Sequence, residues 1–338
     1  MHQNGAFCDN GQPNGLVRLV GIARFAAESN LLVEKRRVEY RNLATRKWLN
    51  RCQSDRVPFH WTINPYRGCE FGCKYCYARF THEFLERRDL AAFETEIYAK
   101  DWNADAFRDE LKQVRPGHII GLGTATDPYQ PAERKFKLTG RVLEALLPLE
   151  GASLFLTTKS NLVSRDIALF RQLAQRNKLR VTVTVTTTDR KLARLTEPYA
   201  PSPDLRLKAV AELAAAGVSV GVAASPILPL ITDSKTSLLA VARAAKEAGA
   251  SQFWANVVFL QPSAQRVFFP FLADEFPELL RRYQKSFRHS AYLEGKYPER
   301  MKEMVQEIRE KFGFEARDAG ERVAIAPLEL PNSQMFLF

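Results

Sequence analysis

Short apolar segments alternate with amphipathic segments between about residues 60 and 260. Six apolar segments are rich in β-branched or aromatic residues, as buried strands are, and span 61–64, 118–122, 153–157, 179–186, 218–224 and 252–259. The amphipathic segments have helical periodicity and span 79–90, 104–114, 139–147, 165–175, 204–216 and 236–248. Strands that alternate with helices predict a parallel sheet with right-handed crossovers, either an open doubly wound sheet or a partial barrel.

The regions outside this repeat differ in composition. The first 30 residues are rich in Gly, Asn and Gln and lack periodicity before Leu16, so we expect a mobile lead-in. Residues 266–312 carry apolar residues at helical spacing, which predicts a helical extension. We therefore divide the chain into a basic, partly mobile N-terminal extension (1–56), a core (57–265) and a mainly helical extension with a terminal peptide tail (266–338).

The composition is that of a globular protein with an unusual charge. The 338 residues are 46% hydrophobic and 26% charged, which excludes a wholly disordered, collagenous or coiled-coil chain. Lys and Arg number 49 against 38 Asp and Glu, and the net charge of +11 favours an anionic partner such as nucleic acid. The excess is concentrated in residues 33–56 and 134–194, which predicts basic surface beside the mouth of the barrel.

The sequence lacks the features of a membrane or secreted protein. Its most apolar stretch, 218–231, is too short to span a bilayer and contains Pro226 and Pro229. The first thirty residues lack the charged start and apolar run of a signal peptide. Five cysteines, an odd number, do not suggest a disulfide framework. We expect a cytoplasmic protein without a membrane partner.

Three cysteines follow the first predicted strand at the spacing C-x3-C-x2-C: Cys69, Cys73 and Cys76. A short loop with glycine lets three thiolates bind three irons of a [4Fe-4S] cluster, which leaves the fourth iron without a protein ligand. A zinc site is one alternative, but structural zinc normally takes four ligands, and neither His60 nor His82 has a common finger spacing. Three coincidental core thiols are the other alternative.

The cysteines belong to a longer motif, Asn-Pro-Tyr-Arg-Gly-Cys followed by Cys-Lys-Tyr-Cys-Tyr-Ala, within residues 64–78. The motif resembles the radical S-adenosylmethionine (SAM) superfamily and, within it, the branch related to spore photoproduct lyase, which is often described as DNA repair photolyase-like. The resemblance implies a partial (β/α)6 barrel of the TIM type. It also implies a [4Fe-4S] cluster and SAM as cofactors, with a 5′-deoxyadenosyl radical that abstracts a substrate hydrogen.

The resemblance assigns residues after the second and third strands to SAM binding. Gly123, Thr126 and Asp127 lie where the family holds the SAM ammonium, although Thr, Asp and Pro also form ordinary capped turns. Lys159 matches the lysine that faces the SAM carboxylate in related lyases. A solvated lysine at the start of the next helix is the alternative, although helix N-termini disfavour cations.

The resemblance extends to the later strands. Thr184 matches a family serine that contacts SAM, although threonine is also common in ordinary strands. Glu197 and Arg206 match a family arrangement that places an ion pair near the ligand, and a surface helix-capping pair is the alternative. Pro226 lies in an apolar loop suited to packing an adenine, but an ordinary strand-exit loop would look the same.

Two tyrosines, Tyr75 and Tyr77, flank the last cysteine and resemble the family's proposed radical relay, which would make them catalytic. Packing around the cluster is the alternative for both. Spore photoproduct lyase also carries a cysteine at the mouth of its second strand, which returns a hydrogen atom to thymine. The matching stretch here, 124–127, has no thiol, which puts thymine-dimer repair in doubt without affecting the SAM chemistry.

The chain ends with the pattern Gln-x-x-Leu-Phe, formed by Gln334, Leu337 and Phe338. The pattern resembles the short peptide by which bacterial DNA repair and replication proteins dock on the sliding clamp. Two adjacent apolar anchors on an extended tail can fill a pocket without disturbing the fold. A tail that folds back as a last strand is the alternative.

Together these features predict a radical SAM enzyme, lyase-like in its chemistry, that acts on nucleic acid, with modified or damaged DNA as the expected substrate. Reaching an atom inside duplex DNA would require the nucleotide to be flipped out into an open barrel mouth. An electron donor such as flavodoxin or ferredoxin is expected. The alternatives are the same chemistry on RNA, a peptide or a small molecule, and a non-enzymatic zinc or iron-sulfur binding module.

Overall fold

The computed structural model describes residues 19–34, 37–45, 47–52, 58–87 and 89–315. The predicted clamp peptide at residues 334–338 lies outside these ranges and stays a prediction. In the described ranges, no helix is long and apolar enough to cross a membrane.

The strands of the described chain form two sheets. They are β1 (Leu31–Glu34), β2 (Glu39–Leu43), β3 (Leu49–Arg51), β4 (Trp61–Ile63), β5 (Tyr66–Arg67), β6 (Glu96–Lys100), β7 (Ile119–Leu122), β8 (Ser153–Thr158), β9 (Lys178–Thr184), β10 (Val220–Ala223) and β11 (Gln252–Trp254). The main sheet has the order β11-β10-β9-β8-β7-β4-β3 and does not close. From β4 to β11 its neighbouring strands are parallel, and β3 lies antiparallel beside β4.

Helices connect the parallel strands. The α-helices are α1 (Gly21–Ala27), α2 (Phe80–Glu83), α3 (Ala92–Thr95), α4 (Ala104–Leu111), α5 (Ala132–Phe136), α6 (Leu138–Leu146), α7 (Ile167–Ala174), α8 (Arg190–Thr196), α9 (Pro203–Ala215), α10 (Lys235–Glu247), α11 (Pro262–Glu275), α12 (Pro277–Ser286) and α13 (Lys296–Phe312). The predicted six parallel strands are confirmed, and the open sheet with alternating helices has the architecture of the partial (β/α)6 barrel. The predicted helical extension is present as α11, α12 and α13.

Local sequence explains where the barrel helices begin and end. The hydroxyl of Ser202 accepts a hydrogen bond from the Leu205 amide and caps α9, and Ser234 caps α10 in the same way. Gly217 and Gly249 follow α9 and α10 with φ angles of +75° and +83°. These left-handed positions favour glycine, so both helices stop where the sequence predicted.

Three predicted boundaries were wrong. The predicted helix at 79–90 ends at Glu83, because the chain turns back to form β6 and Glu86 takes a left-handed φ of 56°. The predicted strand at 252–259 ends at Trp254, and beyond it only an isolated bridge joins Ile227 to Val257. The lead-in was expected to be mobile to about residue 30, but it contains α1, whose Ala23 and Ala26 are buried.

A second sheet, with the order β1-β2-β6-β5, was not predicted. Its strand β2 has the sequence Glu-Tyr-Arg-Asn-Leu, which lacks the alternation of a half-buried strand. It pairs in parallel with β6, which is distant in sequence. This small sheet carries β5 and so holds the start of the cysteine loop.

His82 on α2 is a buried histidine beneath this sheet. Its Nε2 lies 3.1 Å from the Glu96 carbonyl oxygen and therefore donates the hydrogen bond, while its buried Nδ1 has no partner in the described chain. The ring packs edge-on against Phe93 and Tyr98. Burial lowers the pKa of His82 from 6.5 to about 4, and nearby arginines add to the effect.

Acid is therefore expected to destabilise the protein through His82. The native state holds the ring neutral, so as pH falls below about 6.5 the unfolded chain binds a proton that the native chain does not. Roughly 3 kcal/mol of unfolding free energy should be lost by about pH 4. Denaturant unfolding at several pH values should show a flatter pH dependence for His82→Phe than for wild type. Equal slopes would contradict this assignment.

Candidate functional site

The carboxyl ends of the parallel strands meet at one edge of the main sheet. Ile63 at the end of β4 pairs with Leu122 at the end of β7. Thr184 at the end of β9 pairs with Ala223 at the end of β10. The loops that follow these strands therefore lie side by side, as the order of strands and helices predicted.

The three cysteines lie on the loop that follows β5. Cys69 and Cys73 are buried, Cys76 is half-buried, and none of them forms a disulfide. Gly68 begins the loop with a φ of +79°, and a Cβ there would lie 2.8 Å from the Phe93 carbonyl oxygen. Glycine is therefore required for the turn that brings Cys69 into the site.

The thiols lie near one another, and their burial disfavours the thiolate form. Burial raises the pKa of all three, to about 12 at Cys73. Negative charge at Asp127, Cys73 and Cys76 raises the pKa of Cys69 further. A bound metal must therefore supply the positive charge that stabilises the thiolates.

The three thiols match the protein ligands of a [4Fe-4S] cluster. Among the described residues, no group of three or more His, Cys, Asp or Glu side chains is arranged to hold a single metal ion. In a [4Fe-4S] cluster, by contrast, each cysteine binds a different iron, so neighbouring thiols need not converge on one point.

The loop after β7 braces the cysteine loop. The Thr126 hydroxyl donates a hydrogen bond to the Gly68 carbonyl oxygen at 2.6 Å, and the Gln130 side-chain amide donates to the same oxygen at 3.0 Å. Asn64, just after β4, accepts a hydrogen bond from the Ala125 amide at 2.8 Å. Asn64 and Gln130 were not predicted as site residues, although both lie within the motifs that were examined.

Asp127 connects the loop after β7 to the end of β8. One carboxylate oxygen accepts a hydrogen bond from the Thr158 hydroxyl at 2.7 Å, and the other accepts one from the Lys159 amide at 2.7 Å. Burial raises the pKa of Asp127, and these hydrogen bonds oppose the increase. Asp127 therefore fixes the backbone from which the Lys159 side chain extends.

Lys159 places a positive charge beside the cysteine loop. Its Nζ lies 5.7 Å from the centre of the Tyr75 ring. Burial disfavours the charged amine, but negative charge at Cys73 and Glu197 outweighs burial, so the pKa of Lys159 is raised. The ammonium is therefore available to hold a ligand carboxylate.

Glu197 and Arg206 form a buried ion pair, with 2.5 Å between Arg206 Nη2 and Glu197 Oε2. The other Glu197 oxygen accepts hydrogen bonds from the Tyr75 hydroxyl and from Thr186. Arg206 also donates to the Thr184 carbonyl oxygen at 3.1 Å. The predicted residues Tyr75, Thr184, Glu197 and Arg206 are thus joined in one network, to which the structure adds Thr186.

The network favours the ionised form of the Glu197 carboxyl group. Its burial would raise the carboxyl pKa, but Arg206 and Lys159 outweigh burial, and the pKa of Glu197 is lowered. The pair is fully buried, so the alternative of a surface helix-capping pair is wrong.

Tyr77 lies on the other side of Cys76 and begins a row of aromatic rings. Its hydroxyl donates to the Thr124 carbonyl oxygen, and its ring centre lies 5.0 Å from that of Phe259. Phe259 in turn stacks on Tyr292 at 5.2 Å and an angle of 8°. Tyr77 keeps 38% of its surface exposed, so the row provides accessible aromatic surface next to the cysteine loop.

A large cavity adjoins this aromatic row. It has a volume of about 1570 Å³ and is lined by Tyr292, by Ile227 and residues 254–258 after the last two strands, and by α13. The Asn256 side-chain nitrogen is buried and has no hydrogen-bond partner in the described chain. The cavity therefore offers aromatic and apolar surface.

Two predicted residues lie at this edge without a contact that defines their role. A Cβ at Gly123 would lie 2.5 Å from Pro128 and 3.0 Å from the Thr157 carbonyl oxygen, so the chain's own packing requires this glycine. Pro226 lies in the loop that follows β10. Contact of either residue with SAM stays a prediction.

Part of the positive charge predicted for the surface is paired or buried. Within residues 134–194, Arg165 is used in ion pairs with Glu133 and Asp166, and Arg180 is buried within β9. The sequence analysis missed α12, where Arg281 and Lys285 are exposed one turn apart. Exposed Arg288 follows the helix, and we call Arg281, Lys285 and Arg288 the α12 stripe.

Known protein sequences resemble this chain. The family model described as the radical SAM superfamily matches residues 63–251. An uncharacterized protein of Mycobacterium tuberculosis is 35% identical over 259 residues, which cover 76% of this chain and 75% of the relative. An uncharacterized protein of Methanocaldococcus jannaschii is 29% identical over 224 residues, or 64% of this chain and 77% of the relative.

Solved structures share the fold. A spore photoproduct lyase variant with bound AdoMet and dinucleoside spore photoproduct superposes with a TM-score of 0.60 at 16% identity, covering 80% of this chain and 79% of the other. A spore photoproduct lyase complexed with dinucleoside spore photoproduct gives 0.60 at 15% identity, with coverage of 89% and 85%. At these identities the likeness concerns the fold.

Proposed function

Because this chain belongs to the radical SAM superfamily, whose members use a [4Fe-4S] cluster and SAM, we propose that it abstracts hydrogen from a nucleic-acid substrate. The cysteine loop at the mouth of the parallel sheet carries this proposal. When bound, the cluster supplies the electron that cleaves SAM, and the protein supplies orientation and a site without water.

The chain's own residues have distinct roles in this proposal. Cys69, Cys73 and Cys76 hold the cluster. Lys159 binds the SAM carboxylate, because its ammonium is a positive charge beside Cys73. The buried Glu197–Arg206 pair fixes the Tyr75 hydroxyl and keeps that side of the site rigid.

Three features support nucleic acid as the substrate class. The aromatic row of Tyr77, Phe259 and Tyr292 suits stacking of an unpaired base, which is sequence-tolerant because every base has a π face. The adjoining cavity of about 1570 Å³ has room for a flipped nucleotide. The α12 stripe adds exposed positive charge for phosphates, and its Arg288 precedes Tyr292 by four residues in the chain. The solved relative's bound dinucleoside photoproduct is consistent with this class.

Removing the α12 stripe is expected to weaken DNA binding uniformly across sequences. Each phosphate contact contributes about 0.9 to the slope of log affinity against log salt, so Arg281→Gln, Lys285→Gln and Arg288→Gln together should reduce that slope by roughly 2 to 3. Fluorescence anisotropy with single-stranded and duplex oligonucleotides at several salt concentrations measures this slope.

A matched triple variant tests whether charge alone explains the result. Arg171→Gln, Arg176→Gln and Lys178→Gln remove three exposed cations from the opposite end of the barrel. They should leave the slope almost unchanged. If the two triple variants behave alike, or if wild type fails to bind DNA at low salt, the nucleic-acid proposal is wrong.

One observation favours a second substrate class. The cavity wall formed by α13 carries four glutamates but only two cations, Lys302 and Arg309; the glutamates are Glu299, Glu303, Glu307 and Glu310. An acidic wall suits a basic peptide better than a phosphate chain. Under this alternative the same SAM chemistry would act on a peptide, and competition by a basic peptide against labelled DNA would distinguish the two classes.

A further inference from the structure

The outer side of the cysteine loop contacts the segment that follows α8. The Lys74 amide donates to the Thr196 carbonyl oxygen at 2.9 Å, and the Tyr199 amide donates to the Phe71 carbonyl oxygen at 3.2 Å. A Cβ on Gly72 would lie 2.8 Å from the Tyr199 ring. Glycine thus lets the exposed Tyr199 ring pack directly on the backbone next to Cys73.

Positive charge surrounds this contact. The Arg37 guanidinium lies 3.3 Å from the centre of the Tyr199 ring. Lys191 and Arg194 are exposed on α8, and Arg194 is held by a hydrogen bond to the Pro198 carbonyl oxygen at 2.6 Å. We call Arg37, Lys74, Lys191, Arg194 and Tyr199 the loop patch.

Negative charge near the loop patch is largely neutralised. Glu197 lies in the same segment but is buried against Arg206. Asp204 pairs with Arg190 at 2.6 Å. Asp189 keeps its charge, but its carboxylate is held at the start of α8 by hydrogen bonds from the amides of Lys191 and Leu192. The patch therefore presents net positive charge with exposed apolar surface, Leu195 at 37% and Tyr199 at 48%.

The loop patch and the proposed substrate cavity contact different parts of the cysteine loop. The patch contacts residues 71–74, which lie between the first and last cysteines. Tyr77, which follows Cys76, faces Phe259 and the aromatic row beside the cavity. A partner on the patch therefore contacts the cluster-holding backbone without occupying the substrate cavity.

We propose that the loop patch docks an acidic electron-carrier protein that reduces the cluster. The inference rests on the proposed function, since a cluster that cleaves SAM needs one electron from outside the protein. The carrier is oxidised by one electron and the cluster is reduced by one, with no bond made or broken. Complementary charge raises the rate of such encounters and positions the two proteins, and the exposed Tyr199 and Leu195 supply apolar contact.

Charge reversal on the patch tests the proposal. In Arg37→Glu/Lys191→Glu holoenzyme, the second-order rate constant for cluster reduction by reduced flavodoxin should fall roughly tenfold at low salt. Reduction is followed as the loss of the cluster's visible absorbance. Reduction by dithionite, a small reductant, should be unchanged. Calorimetric affinity for flavodoxin should fall in parallel, and Arg171→Glu on the exposed surface of α7 should change neither quantity.

Lys191→Glu alone provides a second variant if the double variant loses its cluster, and it should show a smaller decrease of the same kind. An unchanged rate and affinity in a cluster-loaded variant would overturn the proposal. So would a variant that loses DNA affinity but is reduced normally by flavodoxin, because the patch would then belong to nucleic acid. Failure of the proposed function is separate: wild type would form no 5′-deoxyadenosine even with dithionite.

Discussion

Cys73→Ala is expected to reduce 5′-deoxyadenosine formation to the level measured without enzyme. Cys73 is the central cysteine of the loop, it is buried, and its thiol neighbours both Lys159 and Glu197. Without it the cluster has two protein ligands, because alanine offers no donor atom to the third iron. After anaerobic reconstitution, the variant should contain little iron and lack the broad visible absorption of the wild-type cluster.

Cys52 provides the matched control. It is a free, half-buried cysteine outside the motif, just after β3. Cys52→Ala should keep wild-type iron content and activity. The losses in Cys73→Ala would then result from its place in the cysteine loop and not from the removal of any one cysteine. If Cys73→Ala retained its iron and still cleaved SAM, the assignment of the three ligands would be wrong.

Arg206→Met is expected to be the most destabilising single change in the site. Arg206 is 1% exposed and pairs with the equally buried Glu197, so the variant leaves a carboxylate buried without its counterion. Breaking a buried pair from one side costs about 3 to 5 kcal/mol. Denaturant unfolding of the variant measures the loss. The pKa of Glu197 should rise, because the charge that lowers it most is gone.

The double variant Glu197→Gln/Arg206→Met separates an unpaired charge from lost packing. With both charges of the pair removed, part of the lost stability should return, since neither member of the pair is left buried without its partner. A loss below about 1 kcal/mol in Arg206→Met would show that the pair is not the buried support described above.

Much of the main sheet could be predicted because its strands carry their own signal. The β-branched run of β9 and the glycines after α9 and α10 act locally, and the structure follows them. The cysteine loop was also predictable, since its spacing and its glycines lie within one short segment. Glu197 and Arg206 were predicted from the resemblance, and the structure shows that they form a buried pair.

The remaining features depend on contacts between distant segments. Strands β2 and β6 both carry charged residues, so neither shows the apolar–polar alternation that predicts a strand. Their parallel pairing joins segments that are distant in sequence. The stacking of Tyr77, Phe259 and Tyr292 joins three segments that are far apart in sequence. Gln130 lies in a polar loop after a strand, which could have marked it as a candidate site residue. Only the fold shows that its side-chain amide holds the Gly68 turn by donating to the Gly68 carbonyl oxygen.

Transfer of deuterium from substrate to 5′-deoxyadenosine tests the central claim most directly. Oligodeoxynucleotides with deuterium in the bases or in the sugars, and matching RNA, would be incubated with reconstituted enzyme, SAM and dithionite, and the product analysed by mass spectrometry. We predict deuterium in 5′-deoxyadenosine from labelled DNA, and loss of that transfer in Cys73→Ala. Product formed without deuterium from any labelled nucleic acid would contradict hydrogen abstraction from this substrate class.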